Sequence, residues 1–274
     1  MLFQNPATLP DAVRILLAKD LMPTSLDSAG IRELDASLKN QSLFSAQTTN
    51  EYLLQKYRDF ISSILHPATE QRPDRVTPEN PEGNVTTGLN PTYARRAIKD
   101  FLAEIGYEPA PDDAGTIKDL SSDARIELVI KTNVQMAQGQ GNWLRSQNAG
   151  VLDAFPADEL FRLEDRVKKR EWLNRFRLAG SQTGDPIGTG WTITPDERMI
   201  ALKNHDIWNQ LGSSENFDDA LDTAWPPFAF NSGMWVRDIS RAECQEIGLV
   251  EDKADLPKIV SLAEMLGRLT RRAA

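Results

Sequence analysis

Only two histidines occur in the 274 residues, and they bound the acid–base and metal chemistry open to the chain. His66 stands before Pro67 and His205 stands in KNHDIW, so no HExxH pair, no paired ligand histidines and no CxxC site can be assembled. Neither a structural zinc site nor a cofactor is expected. His205 with Asp206 and Arg198 is the grouping that an enzyme acting on nucleic acid or nucleotides would use. Nucleophilic catalysis would need Ser232 or Cys244 to meet His205 across a long stretch of chain, because no GxSxG elbow occurs. Cys244 reads instead as a small half-buried residue within a helix. Carboxylates cluster in FDDALD and LEDR, where two could act as acid and base, but such clusters usually form a solvated face. The glycines of GSQTGDPIGTGW are irregularly spaced and lack a flanking strand and helix, which points to a loop rather than a phosphate cradle.

Charge is the second source of chemistry. Thirty-one basic against 40 acidic side chains leave a net charge of -9, which opposes diffuse attraction to phosphates. Basic groups nevertheless concentrate near Trp172 and Phe176. Arg166, Lys168, Lys169, Arg170, Arg175 and Arg177 have the composition of a nucleic-acid patch with aromatic stacking. Glu159, Glu164, Asp165 and Glu171 interrupt the stretch and suit salt pairs along a helix face equally well. The single cysteine excludes an internal disulfide framework and suits a reducing compartment. The start, MLFQNPATLPDAVRILLAKD, has no basic segment followed by a long apolar core, so cytosolic synthesis without a membrane span is expected.

The elements that must position these groups follow from periodicity. Val13, Leu16 and Leu17 mark a first helix, and Asp27 caps a second. Tyr52, Leu53, Tyr57, Phe60, Ile61 and Ile64 place one face of a longer helix over 45–65, stopped before Pro67. Residues 67–91, with five prolines, read as a linker or extended loop between a helical docking region at 1–66 and an α+β domain at 92–274. Pro91 opens a helix over 92–105 that Gly106 stops, and Ser121 or Ser122 caps another running to Ser146, its last turns weakened by Gly139 and Gly141. Strands are expected at 160–163, 199–202 and 234–239, with a helix through Trp172 and Phe176 ending at Gly180 and a loop over 181–198. Ser240 and Glu243 form a capping box that opens a final pair of helices. The fold class is α+β: a helical N-terminal half and a small mixed C-terminal module with a short sheet.

The densest stretch is AWPPFAFNSGMWVRDISRAE, residues 224–243. Pro226 and Pro227 suit an extended lead-in, Asn231 and Gly233 a turn, and 234–239 a strand. Its polar groups all have structural uses, so Trp225, Pro226, Pro227, Phe228, Phe230 and Trp235 are expected to form a seam that closes the fold.

Four pieces carry a resemblance by their order: RIELVIKTNVQMAQGQG (125–141), ELFRLEDRVKKREW (159–172), MIALKNHDIW (199–208) and WPPFAFNSGMWVRDISRAE (225–243). In this order the chain resembles the phage head morphogenesis family, the minor head proteins of the phage Mu gene F type, over a little more than half its length. Many members of that family end the double-proline segment with Asn followed by Cys-Arg-Cys, which suggests a metal or disulfide-like clasp. Here Asn231-Ser232-Gly233 stands instead, and aromatic packing must take over. The resemblance implies a non-enzymatic, low-copy structural or assembly protein of a phage or prophage head. Portal and capsid proteins would be its partners, with packaged DNA as a further contact, and the N-terminal helices would dock on the partner. It further implies passage from the host cytoplasm to the head interior of the virion. The rival readings are the enzyme built on His205 and a DNA-binding adaptor built on residues 166–177.

Overall fold

A computed structural model describes residues 10–66, 68–71, 73–82, 84–87, 91–166 and 170–250. Among these the chain is α+β, with helices mainly in the N-terminal half and a four-stranded sheet in the C-terminal half. No helix among the described residues is long and apolar enough to cross a membrane. The chain forms two compact units, Met1–Ser28 with Gln41–Gln138 and Ala29–Asn40 with Gly139–Ala274. The division falls inside a helix and not at residues 67–91, which belong wholly to the first unit.

In the first unit, α1 (Pro10–Leu17) buries Ala12 and Leu16, and β1 (Asp20–Leu21) pairs in parallel with β2 (Ser42–Leu43). The intervening helices α2 (Ser28–Arg32) and α3 (Ala36–Gln41) lie almost wholly in the second unit. Helix α4 (Glu51–Leu65) starts later than periodicity suggested, because the Asn50 side chain accepts the Leu53 N–H at 3.1 Å and fixes the first turn. Its buried stripe is Leu53, Leu54, Tyr57, Ile61 and Leu65. Tyr52, expected on that stripe, is 77% exposed, since nine residues place it about 180° round the helix from Ile61. Residues read as a loop carry an antiparallel ladder, β3 (Ala68–Gln71) with β4 (Asn84–Thr87). Helix α5 (Pro91–Glu104) buries Ala94, Ile98 and Leu102, and Gly106 at φ 72° ends it. There the Tyr107 N–H reaches the Leu102 carbonyl at 2.9 Å and the Gly106 N–H that of Ala103 at 3.0 Å, satisfying two of the carbonyls left open at the helix end.

Helix α6 (Asp123–Ser146) is capped by Ser122, whose Oγ accepts the Arg125 N–H at 3.1 Å. Ile126, Ile130 and Ala137 complete the core of the first unit with Leu43, Leu54, Tyr57, Ile61, Ile98 and Leu102. Buried Arg125 donates to Ser45 Oγ and the Ala46 carbonyl, both at 2.6 Å, so the loop before α4 is tied to α6.

The second unit holds the end of α6, then α7 (Ala149–Ala154), β5 (Ala157–Arg162), α8 (Trp172–Gln182), β6 (Trp191–Ile193), β7 (Met199–Leu202), α9 (Ile207–Leu211), β8 (Met234–Ile239) and α10 (Arg241–Glu246). The sheet runs β6-β7-β5-β8 and is antiparallel throughout. On one face Leu160, Ala201 and Met234 pack with Trp172, Phe176, Trp208, Leu211 and Phe228. On the other, Ala157, Ile200 and Ile239 pack with Cys244, Leu249 and Val250. Strand β6 was read as loop because three residues among glycines are too few for a period to register. Gly180 does not end α8, which continues to Gln182. A Cβ there would stand 2.5 Å from the Trp191 ring, so the glycine makes room for that indole. Ser240 does cap α10, accepting the Glu243 N–H at 3.2 Å.

Candidate functional site

Arg166, Arg170 and Arg175 of the basic stretch are engaged in structural contacts. Lys168 and Lys169 lie outside the described residues. Arg170 pairs with the Asp219 carboxylate and donates to the Phe230 carbonyl at 2.7 Å and the Asn231 carbonyl at 3.4 Å. Arg166 donates to the same Asn231 carbonyl at 3.0 Å and pairs with Glu164 at 2.7 Å. Arg175 reaches Asp219 at 2.8 Å, its guanidinium over Phe217 and within 5.3 Å of the Trp172 ring centroid. Burial works against the ionised carboxyl of Asp219, but the bonds from Arg175 and Arg170 outweigh it and hold its pKa below the ordinary value. Arg177 is exposed and touches Asn174. Three of the four described arginines are therefore a clasp on the loop before β8.

That loop is the seam expected from the sequence, with changes. Trp225 and Phe228 are buried at 2% and 0% exposure, Pro226 and Pro227 are buried, and Trp235 is half-buried. Phe230 is exposed at 37%: its carbonyl serves the Arg170 clasp while its ring faces out, so it is not part of the packed seam. Pro226 and Pro227 form a turn and not an extended lead-in. Asn231 (φ 50°) and Gly233 (φ 70°) supply the left-handed turn. A Cβ on Gly139 would lie 1.9 Å from the Pro226 carbonyl oxygen, so this glycine lets the loop touch the helix; α6 passes through it unbroken. Trp143, one turn on, meets Trp225 at 5.0 Å between ring centroids.

The residues of the catalytic grouping are each held by other partners. His205 Nδ1 accepts the Ile207 N–H at 3.1 Å, and Nε2 stands 3.3 Å from the Asp185 carboxylate. Burial pulls its pKa below the ordinary 6.5, and Asp185 and Asp206 oppose this. Asp206 is held by Asn209 and Gln210 on the first turn of α9. Arg198 is bound elsewhere, to Glu159 and Glu243. Ser232 is fully buried, donating to the Pro227 carbonyl at 2.6 Å and accepting from the Met234 N–H at 3.1 Å. Cys244 is wholly and not half buried, and burial pushes its thiol up to about 11. No group of three or more His, Cys, Asp or Glu among the described residues could hold a metal ion.

What the structure brings together instead is a cleft of about 520 Å³ within the second unit. One wall is the α6 stripe Gly139, Asn142, Trp143 and Ser146, which the i, i+3, i+4, i+7 spacing puts on one side of the helix. The lining also includes β8 at 235–238 and the apolar side chains of Trp208, Pro226 and Phe228, in which the Trp208 and Phe228 rings stack at 5.8 Å between centroids. At one end Lys203, its side chain 1% exposed, is bound by the carboxylates of Asp158 and Asp238. Asp158 stands directly opposite Asp238 in the β5–β8 register, a like-charge pair that Lys203 makes tolerable. Burial drives the Asp158 carboxyl up to about 6; Lys203 opposes the shift and Asp238 adds to it.

None of the three was singled out by sequence reasoning. Asp158 lies 45 residues from Lys203, which lies 35 from Asp238, and only the register of three strands unites them. The visible signal was a charged residue on the apolar-alternating face of two strands, Asp158 with Leu160 and Asp238 with Val236. Comparison with family models, with curated proteins and with solved structures finds no match to this chain.

Proposed function

We propose that the chain is a structural assembly protein of a phage or prophage head, of the minor head protein kind, with portal or capsid protein as its partner. The observation that carries this reading is the use made of residues 224–239. Trp225 and Phe228 form core, and Arg166 and Arg170 grip the carbonyls of Phe230 and Asn231. This clasp stands where the resembled family places its Cys-Arg-Cys element, so one closing role is filled by guanidinium–carbonyl bonds and aromatic packing. Ser232, His205, Cys244 and the arginines Arg166, Arg170 and Arg175 each hold a piece of the fold, which favours assembly over catalysis by those groups. The expected location is the host cytoplasm and then the head. The test is co-sedimentation of the purified chain with portal assemblies and procapsids from the same genome. The chain should travel with one of them, and a chain that remains at the top of the gradient with both sinks the proposal.

A further inference from the structure

Among the described residues, the β8 stretch that lines the cleft has no further strand beside it. The Leu163 N–H donates to the Gly233 carbonyl at 2.9 Å, which makes 163 and 233 a hydrogen-bonded pair at the end of the β5–β8 ladder. Alternation then turns the backbone groups of Trp235, Arg237 and Ile239 toward β5, and those of Val236 and Asp238 away from it. The bond from the Lys203 N–H to the Pro156 carbonyl, 2.9 Å, fixes the same alternation on the other side of β5. Among the described residues strand β8 is last in the sheet order, so the N–H and C=O groups of Val236 and Asp238 point outward from a sheet edge whose residues 235–238 line the cleft.

We propose that this cleft is a recognition site for an extended segment of a partner protein, added as a fifth strand on β8, with a basic side chain two positions from an apolar one. Four residues of edge, 235–238, span about 13 Å at about 3.3 Å each, and the α6 stripe lines the same cleft. An added strand takes its affinity from main-chain bonds to Val236 and Asp238 and its specificity from alternate side chains. The residue beside Asp238 meets a carboxylate that is 55% exposed and shares a single ammonium with Asp158, which selects Lys or Arg. The residue beside Val236 meets Pro226, Phe228 and Trp208, which selects an aromatic or branched aliphatic side chain. The other cations of the lining are engaged: Arg237 with Glu159, and Arg145, at the rim, with Asn142. The inference rests on the cleft alone and stands apart from the phage-head reading.

The experiment uses the full chain and a pool of acetylated, amidated heptapeptides of threonine, randomised at two positions two apart; retained peptides are read by mass spectrometry. Selection should yield Lys or Arg at one position and Phe, Tyr, Leu, Ile or Val at the other. N-methylation of alternate peptide amides should lower affinity at least tenfold, and Asp238→Asn should erase the preference for a basic residue. Val236→Pro, which removes an outward N–H and leaves the β5 ladder intact, should abolish retention. The N-methylated arm asks the same question of the unaltered chain should the proline variant not fold. Retention of no peptide, retention that survives N-methylation, or selection of acidic residues would overturn the proposal.

Discussion

The two faces of the β5–β8 pair carry opposite electrostatic solutions one residue apart. On one face Glu159 stands opposite Arg237, and Arg198 and Glu243 extend the pair into a four-membered network with alternating sign. On the other Asp158 stands opposite Asp238, and one ammonium serves both. The Glu159 carboxylate, 6% exposed, accepts from Arg198 at 2.6 and 2.8 Å and from Arg237 at 2.8 and 2.9 Å, so burial is matched by donors. Asp158, its side chain 12% exposed, is also buried but under-served, and burial drives its carboxyl up to about 6. A network with all its bonds made holds a fold together, whereas a shared cation beside an open sheet edge leaves capacity for a ligand.

The largest effect should come from Lys203→Met, which leaves two facing carboxylates without a cation. A loss of about 3–5 kcal/mol at pH 7 is expected in denaturant unfolding, shrinking in acid as the carboxyls protonate. Glu159→Gln breaks the other face more mildly, by about 2–3 kcal/mol, because the amide oxygen still accepts. If it costs more than Lys203→Met, the contrast drawn between the faces is wrong. Arg170→Ala should cost about 1–3 kcal/mol by freeing the 230–231 carbonyls; a selective loss of DNA affinity at unchanged stability would restore the adaptor reading.

The smallest effect is a matter of pH. The folded pKa of Asp158 lies above the ordinary 3.8, so the folded state binds the extra proton between about pH 4 and 6. Stability from this group is therefore present below pH 4 and lost as pH rises to 6. Asp219 has the opposite sign: its depressed pKa contributes stability at neutral pH that is lost as pH falls through the folded value. Wild type minus Asp158→Asn should show the first slope, and a flat difference across pH 4–6 would remove it.

Local signals carried the fold class. Strands at 199–202 and 234–239 and the Ser240 cap were legible because alternation and capping chemistry act within a few residues. Tyr52 and Gly180 were misjudged for a related reason, since each was assigned by type where angular position or a distant neighbour, the Trp191 ring, decides. The cleft was illegible: Asp158, Lys203 and Asp238 meet only through strand register, and Gly139 looked like a helix weakener until the Pro226 carbonyl appeared beside it. The partners of the basic stretch were illegible for the same reason. Its arginines are real, but Asp219 and two loop carbonyls lie where the sequence shows no partner.

The central claim, that the chain is an assembly component of a phage head, is tested most directly by quantitative mass spectrometry of particles purified after induction of the genome that encodes it. The account predicts the chain in procapsids or mature heads at a few copies per portal. Particles that form at normal yield and contain none of it would contradict the account.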